Sequence, residues 1–361
     1  MDTSHSARRR GAVAILVAVF MIALVSMAAF VVDVGLLRLW RQQLQGAVDA
    51  GAHAGTTQLD GTEEGLARAR QAAVLVAGAN SAGGDAVAVD LNPGNDPSGD
   101  VVLGYWEDDV FYAYDADPSR VTTVQVTATA RGLRTYFAPV AFAEEIDYRN
   151  LNVSASSTVL GGGPAEIDCP LPIAVPHCSI DRAANLCDIR TKLNPDNNDN
   201  AGWSRVGSQR PSANTARNAI YGYCPTPTTV NGEISLNNGV IASATDAMSA
   251  TVSASTQMWD VEAWGTLPPQ QACSSIPPAK YGRVVIGRIP VFRDASECTS
   301  TRYNGTGLDV VGFATAVVYD VCANGPASGR SISVRYVCDL ETESRGGGGY
   351  FGTVVPPQIV R

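Results

Sequence analysis

One uncharged stretch near the N-terminus constrains what the whole chain can be. Residues 12–32 are 21 consecutive residues without a charged side chain, and as a helix they would extend about 31 Å, the thickness of a bilayer's hydrocarbon core. The alternative is a cleaved signal peptide, for which Ser26, Ala28 and Ala29 offer small residues near a cleavage site. Signal peptides usually have a shorter apolar region, so we expect a retained transmembrane helix.

The charges around this stretch predict its orientation. Arg8, Arg9 and Arg10 precede it directly, and Asp33 follows it. Because positive charge is enriched on the cytoplasmic side, we expect residues 1–11 to be cytoplasmic and the C-terminal bulk to be periplasmic or extracellular. The predicted location is the bacterial inner (cytoplasmic) membrane, crossed once. Asp33 at the outer edge is expected to face water, and a role in setting the orientation or in contacting a partner is left open.

Residue spacing after Asp33 predicts a proximal extracytoplasmic domain over residues 33–160. Apolar residues three and four apart continue the first helix to Ala54, and Thr62 is expected to cap a second amphipathic helix. Alternating residues then predict strands over 86–91, 101–106, 110–114, 120–130 and 150–160. The predicted fold class is α+β, with a transmembrane helix extended into a helix pair packed on a small antiparallel sheet.

A change in composition predicts a second domain. The segment Gly161–Pro164 is a strong loop signal, so we place a linker at 161–164 and a β-rich, cysteine-rich distal domain at 165–361. Strands are expected over 232–236, 283–291, 310–319 and 331–337, with helices over 213–221 and 244–258. Residues 343–351 look like a mobile loop because of their glycines.

All eight cysteines of the chain lie in this distal region, which predicts disulfides if the region is exported. No pair has the C-x-x-C spacing of common zinc sites. The pairing stays open, since on the order of 100 connectivities are available. The candidates are Cys169, Cys178, Cys187, Cys224, Cys273, Cys298, Cys322 and Cys338.

Few residues suggest chemistry. His177 adjoins Cys178, but a nucleophilic cysteine needs a free thiolate, and a cystine is favoured in an oxidising compartment. The oxygen-rich run 194–200 lacks the Gly and Glu of an EF-hand loop, so a polar turn is expected, with calcium left open. The acidic run 107–109 reads as a solvated hairpin tip, with a cation or a basic partner left open. We therefore expect no enzyme, no cofactor, no metal and no small-molecule substrate.

The net charge of −9 argues against nucleic acid as a partner. Binding to a phosphate backbone needs a basic surface, and no part of the chain is basic. The partners to be expected are instead membrane lipid and other proteins.

The N-terminal residues resemble a known family. The run Arg9-Arg10-Gly11, the apolar stretch, Val32–Gly35 and the small-residue segment Gln43–Ala54 resemble the start of TadE/TadG-like proteins of the Flp (tight adherence, Tad) pilus system. This resemblance covers the first 60 residues well and is looser beyond. It implies an inner-membrane protein with a periplasmic body, including a pilin-like proximal domain, that helps build or tether Flp pili, with other Tad/Flp pilus components or minor pilins as partners.

Two departures limit what the resemblance implies. Pilin-like members cleaved by a prepilin peptidase carry Glu where this chain has Leu16, so processing after Gly11 and packing as a major pilin are not expected. Some TadG proteins carry an Asp-x-Ser-x-Ser metal motif, and the nearest run here, Asp294–Cys298, lacks the second serine. The alternative function is a membrane-anchored adhesin or binding module unrelated to pili.

Overall fold

The structure is a computed structural model of the 361-residue chain. It describes residues 4–107, 109–114, 117–133, 151–181, 190–193, 201–237, 239, 241–294, 304–326, 329–337, 340–341, 346–351 and 353–360. Helix and sheet are both abundant, and the mixed fold class expected from the sequence is confirmed at that level.

One helix, α1, spans Ser4–Thr56 and is about 80 Å long at 1.5 Å per residue. It has no proline to kink it, so the apolar stretch continues without a break into the small-residue segment. The predicted apolar N-terminal helix is therefore confirmed, and its predicted continuation belongs to the same element.

Helix α2 spans Glu63–Gly78 and begins at the predicted residue. Thr62 has an extended backbone, and its hydroxyl accepts a hydrogen bond from the Gly65 amide at 3.0 Å. Glu63 and Glu64 lie in the first turn, where carboxylates interact favourably with the helix dipole. These features explain why the helix starts there.

Among the described residues, six strands follow α2 as far as residue 160. They are β1 Ser81–Ala82, β2 Asp85–Ala86, β3 Val101–Glu107, β4 Val110–Ala113, β5 Thr123–Leu133 and β6 Leu151–Leu160. The predicted hairpin is confirmed, since β3 and β4 pair antiparallel with Tyr105 opposite Tyr112. The strands predicted over 120–130 and 150–160 correspond to β5 and β6.

The strand predicted over 86–91 is wrong beyond Ala86. Val87 is buried, and Val89 packs partly buried against the same core, so the alternation reports burial correctly. Residues 87–90 pair with no described strand, and the Asp90 amide donates to the Asp100 carboxylate at 2.9 Å instead. Alternation alone does not make a strand without a neighbouring strand to accept its hydrogen bonds.

The chain after residue 160 has short helices and many strands. The described helices are α3 His177–Asp181, α4 Ala213–Ile220, α5 Ala242–Ala254 and α6 Val261–Trp264. The strands are β7 Gly163–Pro164, β8 Glu166–Ile167, β9 Ile173–Pro176, β10 Arg190–Leu193, β11 Gly202–Val206, β12 Thr228–Thr229, β13 Glu233–Asn237, β14 Val285–Phe292, β15 Leu308–Cys322, β16 Ser331–Val337, β17 Leu340–Glu341, β18 Gly346–Gly348, β19 Thr353–Val354 and β20 Gln358–Ile359.

The first sheet has five strands in the order β20-β6-β5-β3-β4, all antiparallel. Its outermost strand, β20, comes from the far end of the described chain and places Gln358 opposite Leu160. One hydrophobic cluster contains buried side chains of α1, α2 and this sheet, among them Leu44, Ala73 and Val124. This cluster is the core of the first part of the chain.

The second sheet has seven strands, and five of them close into a ring. Strand β15 pairs with β13, β14 and β16 at different points along its 15 residues. The pairings run from β15 to β13, β11, β9 and β14 and return to β15. Closure removes open edges from these strands. A separate core that includes Trp203, Met248 and Tyr336 fills the space between this sheet and helices α4 and α5.

The segment Gly161–Pro164 is not an exposed linker. Gly161, Gly163 and Pro164 are buried, and β7 pairs with β18 near the end of the chain. A Cβ at Gly346 would lie 2.6 Å from the Gly161 carbonyl oxygen, so only glycine allows this approach. The loop expected over 343–351 is therefore wrong for Gly346–Gly348, whereas residues 343–345 lie outside the described residues. A domain boundary at 161–164 stays a prediction.

Candidate membrane anchor and surface clefts

No other described part of the chain covers the apolar part of α1. Side chains from Val13 to Val32 face outward on all sides, with Val13 62% and Leu16 71% exposed. Within the described residues, α1 is the helix long and apolar enough to cross a membrane. Water is a poor solvent for such a surface, so its exposure all around the helix is consistent with membrane anchoring.

The residues expected to set topology lie at both ends of this surface. Arg8, Arg9 and Arg10 belong to the first turns of α1. Asp33 begins the next part of the helix and is only 3% exposed, so the expectation that it faces water is wrong. It has an interaction partner, which explains how a carboxyl group is tolerated in a buried position.

Small residues bring α1 and α2 close together. A Cβ at Gly51 would lie 2.9 Å from the Ala73 carbonyl oxygen, and one at Gly55 would lie 3.0 Å from that of Ala69. Ala47 and Ala52 of α1 are also buried there. The small-residue segment that the sequence shows is therefore a packing face of α1.

Two disulfides join distant parts of the distal region. Cys169 bonds Cys224, and Cys273 bonds Cys322, which links residues 55 and 49 positions apart. Links of this span restrict the unfolded chain strongly. Cys178 is also disulfide-bonded.

The other candidate residues have mixed outcomes. Cys187, Cys298 and Cys338 lie outside the described residues, as do the oxygen-rich run 194–200 and Asp108 and Asp115 of the acidic region, so these expectations stay predictions. Glu107 accepts a hydrogen bond from the Asn231 side chain at 3.2 Å. Asp109 and Asp117 also have interaction partners.

The neighbouring His177 and Cys178 do not form a nucleophile and base. Because the Cys178 sulfur is bonded in a cystine, it provides no thiolate. The His177 Nδ1 atom accepts a hydrogen bond from the Asp294 amide at 3.2 Å. Among the residues that the structure describes, no three His, Cys, Asp or Glu side chains group as they would around a metal ion.

A buried polar group lies beside the second disulfide. Asp320 is fully buried, and its carboxylate accepts hydrogen bonds from the amides of Gln271 at 3.0 Å and Val321 at 2.9 Å. Tyr281 donates its hydroxyl hydrogen to the Pro268 carbonyl. Burial, together with the negative charge of Asp320, raises the pKa of Tyr281 to about 12.

A cleft lies between β11, α4 and two loops that the Cys169–Cys224 bond connects. Its volume is about 760 Å³. We call it the bridged cleft, and the lining residues used below are Pro170, Arg205, Asn218, Tyr223, Thr226 and Thr228. Nothing in the sequence singled it out, because its walls come from segments up to about 120 residues apart, Pro170 to Pro290.

Helix α4 ends in a way that fixes one wall of the bridged cleft. Gly222 has φ +79°, a conformation that glycine adopts easily. The Tyr223 amide donates to the Asn218 carbonyl at 2.8 Å, and the Gly222 amide donates to the Ala219 carbonyl at 3.1 Å. This pattern is a Schellman cap, and it holds Tyr223 at the rim with 73% of the residue exposed.

A smaller cleft of about 300 Å³ lies where the β3–β4 hairpin meets the distal region. Arg120 stacks over the Tyr105 ring with 4.3 Å to the ring centre. The indole nitrogen of Trp106 is buried and has no hydrogen-bond partner in the described part of the chain. Acidic and basic side chains line this cleft together, namely Glu107 and Asp117 with Arg120 and Arg293.

Taken together, an apolar helix that no described side chain covers and a folded body continuous with it are consistent with the class of membrane-anchored proteins. Residues 11–80 match a family model described as putative Flp pilus-assembly TadE/G-like. The matched segment holds most of α1 and all of α2, so the chain begins with a TadE/G-like segment, as its resemblance predicts. The description of that family refers to pilus assembly.

Neither a curated protein nor a solved structure matches the chain. The family match thus concerns the two N-terminal helices, while the bridged cleft and the closed ring of strands lie outside it.

Proposed function

We propose that this protein is a membrane-anchored assembly or minor structural component of a bacterial Flp/Tad pilus, acting through protein–protein contacts in the periplasm. The observation that carries the proposal is the coincidence of the family match with the uncovered apolar helix and the helix that packs on it. A helix shared between membrane and folded body is suited to holding that body at the place of assembly.

The proposed orientation has the N-terminus in the cytoplasm and the rest outside the inner membrane. Three arginines before the apolar surface support it through the positive-inside rule. Two cystines in the distal region support it independently, because cystines persist mainly in oxidising compartments.

We also propose different roles for two parts of the chain. We assign residues 33–160, in which the two helices pack on the first sheet, to a pilin-like unit that contacts other Tad/Flp components. Residues 165–361 would form a second unit stiffened by its disulfides. The side-chain contacts between α1, α2 and the first sheet support the first assignment.

The proposal excludes a catalytic role. The Cys178 sulfur is engaged in a cystine, and the family of the N-terminal segment is one of assembly proteins. Contacts with partner proteins are then what the exported body contributes.

Deleting the gene in its host and counting surface pili tests this function. We expect pili and adhesion to be lost and to return with the wild-type chain. A chain in which a cleavable secretion signal replaces residues 1–32 should be exported but should fail to restore pili. An unrelated single-pass helix in the same place shows whether anchoring alone is sufficient. Normal pili in the deletion strain would contradict the proposal.

A further inference from the structure

The bridged cleft has a distinct hydrogen-bonding chemistry. Among the described residues that line it there is no carboxylate, and Arg205 is its charged group. The other polar groups are an amide and hydroxyls, as in Asn218, Tyr223 and Thr226. Hydroxyl and amide groups both donate and accept hydrogen bonds, which is what neighbouring hydroxyls of a sugar require.

One wall residue has an unmet hydrogen bond. Thr228 is 1% exposed, and its hydroxyl has no partner in the part of the chain that the structure describes. Burying a hydroxyl without a hydrogen-bond partner is unfavourable, so such groups often indicate a functional role or a bound molecule. The Thr228 oxygen is almost inaccessible, so a polar ligand in the cleft reaches it only if this wall moves slightly.

The rim of the bridged cleft provides an aromatic surface. Tyr223 is largely exposed and is held by the helix cap, so its ring need not be ordered when a ligand binds. An aromatic ring with a polar tip packs well against a ligand that has both apolar and hydroxyl-bearing faces. The Cys169–Cys224 bond connects Pro170 on one wall to Tyr223 on the other and so limits how far the cleft can open.

The backbone around the cleft disfavours a peptide ligand that binds by strand addition. Strand β11 in its wall is already paired with β13 on one side and β9 on the other. Its pairing with β9 covers Gly202 and Trp203, so only the last residues of β11 lack a partner strand on that side, which is a short edge for strand addition.

We propose that the bridged cleft binds a short stretch of a glycan that carries a carboxylate group. Arg205 pairs with the carboxylate, Tyr223 packs against a sugar ring, and the hydroxyl and amide groups of the walls bond the sugar hydroxyls. The volume of about 760 Å³ lies in the range of small-ligand sites. That the glycan comes from the cell envelope depends on the proposed orientation. The chemistry of the cleft does not depend on that orientation.

Calorimetric binding to the full chain in detergent tests the proposal. The probes are a glycan strand of alternating N-acetylglucosamine and N-acetylmuramic acid, which carries carboxylates, and a chitin oligosaccharide, which lacks them. The variants are Tyr223→Ala and Arg205→Ala. The matched controls are Tyr221→Ala and Arg217→Ala, which change an exposed tyrosine and arginine of the same region that do not line the cleft.

We expect the wild type to bind the carboxylate-bearing strand more tightly than chitin. Arg205→Ala should weaken binding of that strand about tenfold or more while changing chitin binding little, because a hydrogen bond to a charged group is lost. Tyr223→Ala should weaken binding of both probes, and both controls should bind as the wild type does.

Three results would overturn the proposal, provided that circular dichroism shows every variant folded. The first is that the wild type binds neither glycan. The second is that the controls lose as much affinity as the cleft variants. The third is that the wild type binds the chitin oligosaccharide as tightly as the carboxylate-bearing strand. None of these results bears on pilus assembly, which the deletion strain tests separately.

Discussion

Replacing Gly51 with alanine tests whether the small residues of α1 exist to admit α2. A Cβ at this position would lie 2.9 Å from the Ala73 carbonyl oxygen and 3.0 Å from the Ala77 Cβ. The nearest obstacle is a backbone oxygen of a packed helix, which cannot move aside cheaply. Gly46, five residues earlier on the same helix, has nothing within 4 Å of the same position. It is the matched control.

The two substitutions share one energy term and differ in another. Replacing glycine by alanine inside a helix stabilises it by about 1 kcal/mol. Forcing an additional carbon into a packed interface costs about 1–3 kcal/mol. We therefore expect Gly46→Ala to raise the free energy of unfolding by about 1 kcal/mol and Gly51→Ala to lower it by about 0–2 kcal/mol. The difference between the variants, about 1–3 kcal/mol, isolates the helix contact.

Urea unfolding of the full chain in detergent, followed by circular dichroism, measures both variants. The change in midpoint at constant slope gives the change in stability. Gly55→Ala should behave like Gly51→Ala, because its Cβ would lie 3.0 Å from the Ala69 carbonyl oxygen. If Gly51→Ala stabilised the protein as much as Gly46→Ala does, the account of close helix packing would be wrong.

Three further predictions concern the disulfide, a tyrosine and a helix start. Replacing both Cys273 and Cys322 by alanine should lower the free energy of unfolding by about 2–4 kcal/mol, measured by urea unfolding, because a link spanning 49 residues is lost; an unchanged midpoint would contradict this. Burial raises the pKa of Tyr281 to about 12. The contribution of Tyr281 to the free energy of unfolding should therefore be fully present below pH 10.0, the ordinary pKa, and be lost as the pH rises towards about 12. Absorbance titration should then show one tyrosine fewer ionising near pH 10 in the wild type than in the unfolded chain, and Tyr281→Phe should remove the difference. Burial alone would raise the pKa of Asp60, but hydrogen bonds from Thr62 together with the hydrogen bond and charge of Arg68 lower the pKa below 3.8, so this stabilisation should hold at neutral pH and disappear as pH falls through the lowered pKa. Asp60→Asn should make thermal stability less dependent on pH in that acidic range, and an unaltered acid dependence would count against the proposed role of Asp60.

Local features of the fold could be predicted because each depends on residues close in sequence. Thr62 caps the start of α2 through a hydrogen bond to a residue only three positions away. The β3–β4 hairpin follows from alternating residues on both sides of a short turn. The apolar helix follows from a run of uncharged residues. In such cases the interaction that stabilises the element lies within the same short segment.

Features that depend on distant residues could not be predicted. The glycines at Gly161 and Gly346 read as a linker and a loop, yet they pack against each other across about 185 residues of chain. Nothing near Asp33 in the sequence indicates its burial. The ring of strands closes because β15 is long enough to pair with three neighbours. The sequence of a strand does not indicate which other strands it will pair with.

The candidate sites divide in the same way. The apolar surface of α1 could be predicted from the sequence, because every side chain of a helix formed by an uncharged run lacks a charge. The bridged cleft was invisible, since the fold brings Arg205 and Tyr223 together with residues of several other segments. The eight cysteines indicated disulfides, but only the fold shows that Cys169 pairs with Cys224 and Cys273 with Cys322.

Protease digestion of spheroplasts tests the central claim, which is that one membrane-spanning helix anchors the body of the chain outside the cytoplasm. The chain would carry one epitope before Met1 and a different one after Arg361. Protease would be added to spheroplasts, in which the inner membrane is intact and its outer face is accessible. We predict that the C-terminal epitope is destroyed while the N-terminal epitope survives until the membrane is broken. Survival of the C-terminal epitope in intact spheroplasts would contradict the claim.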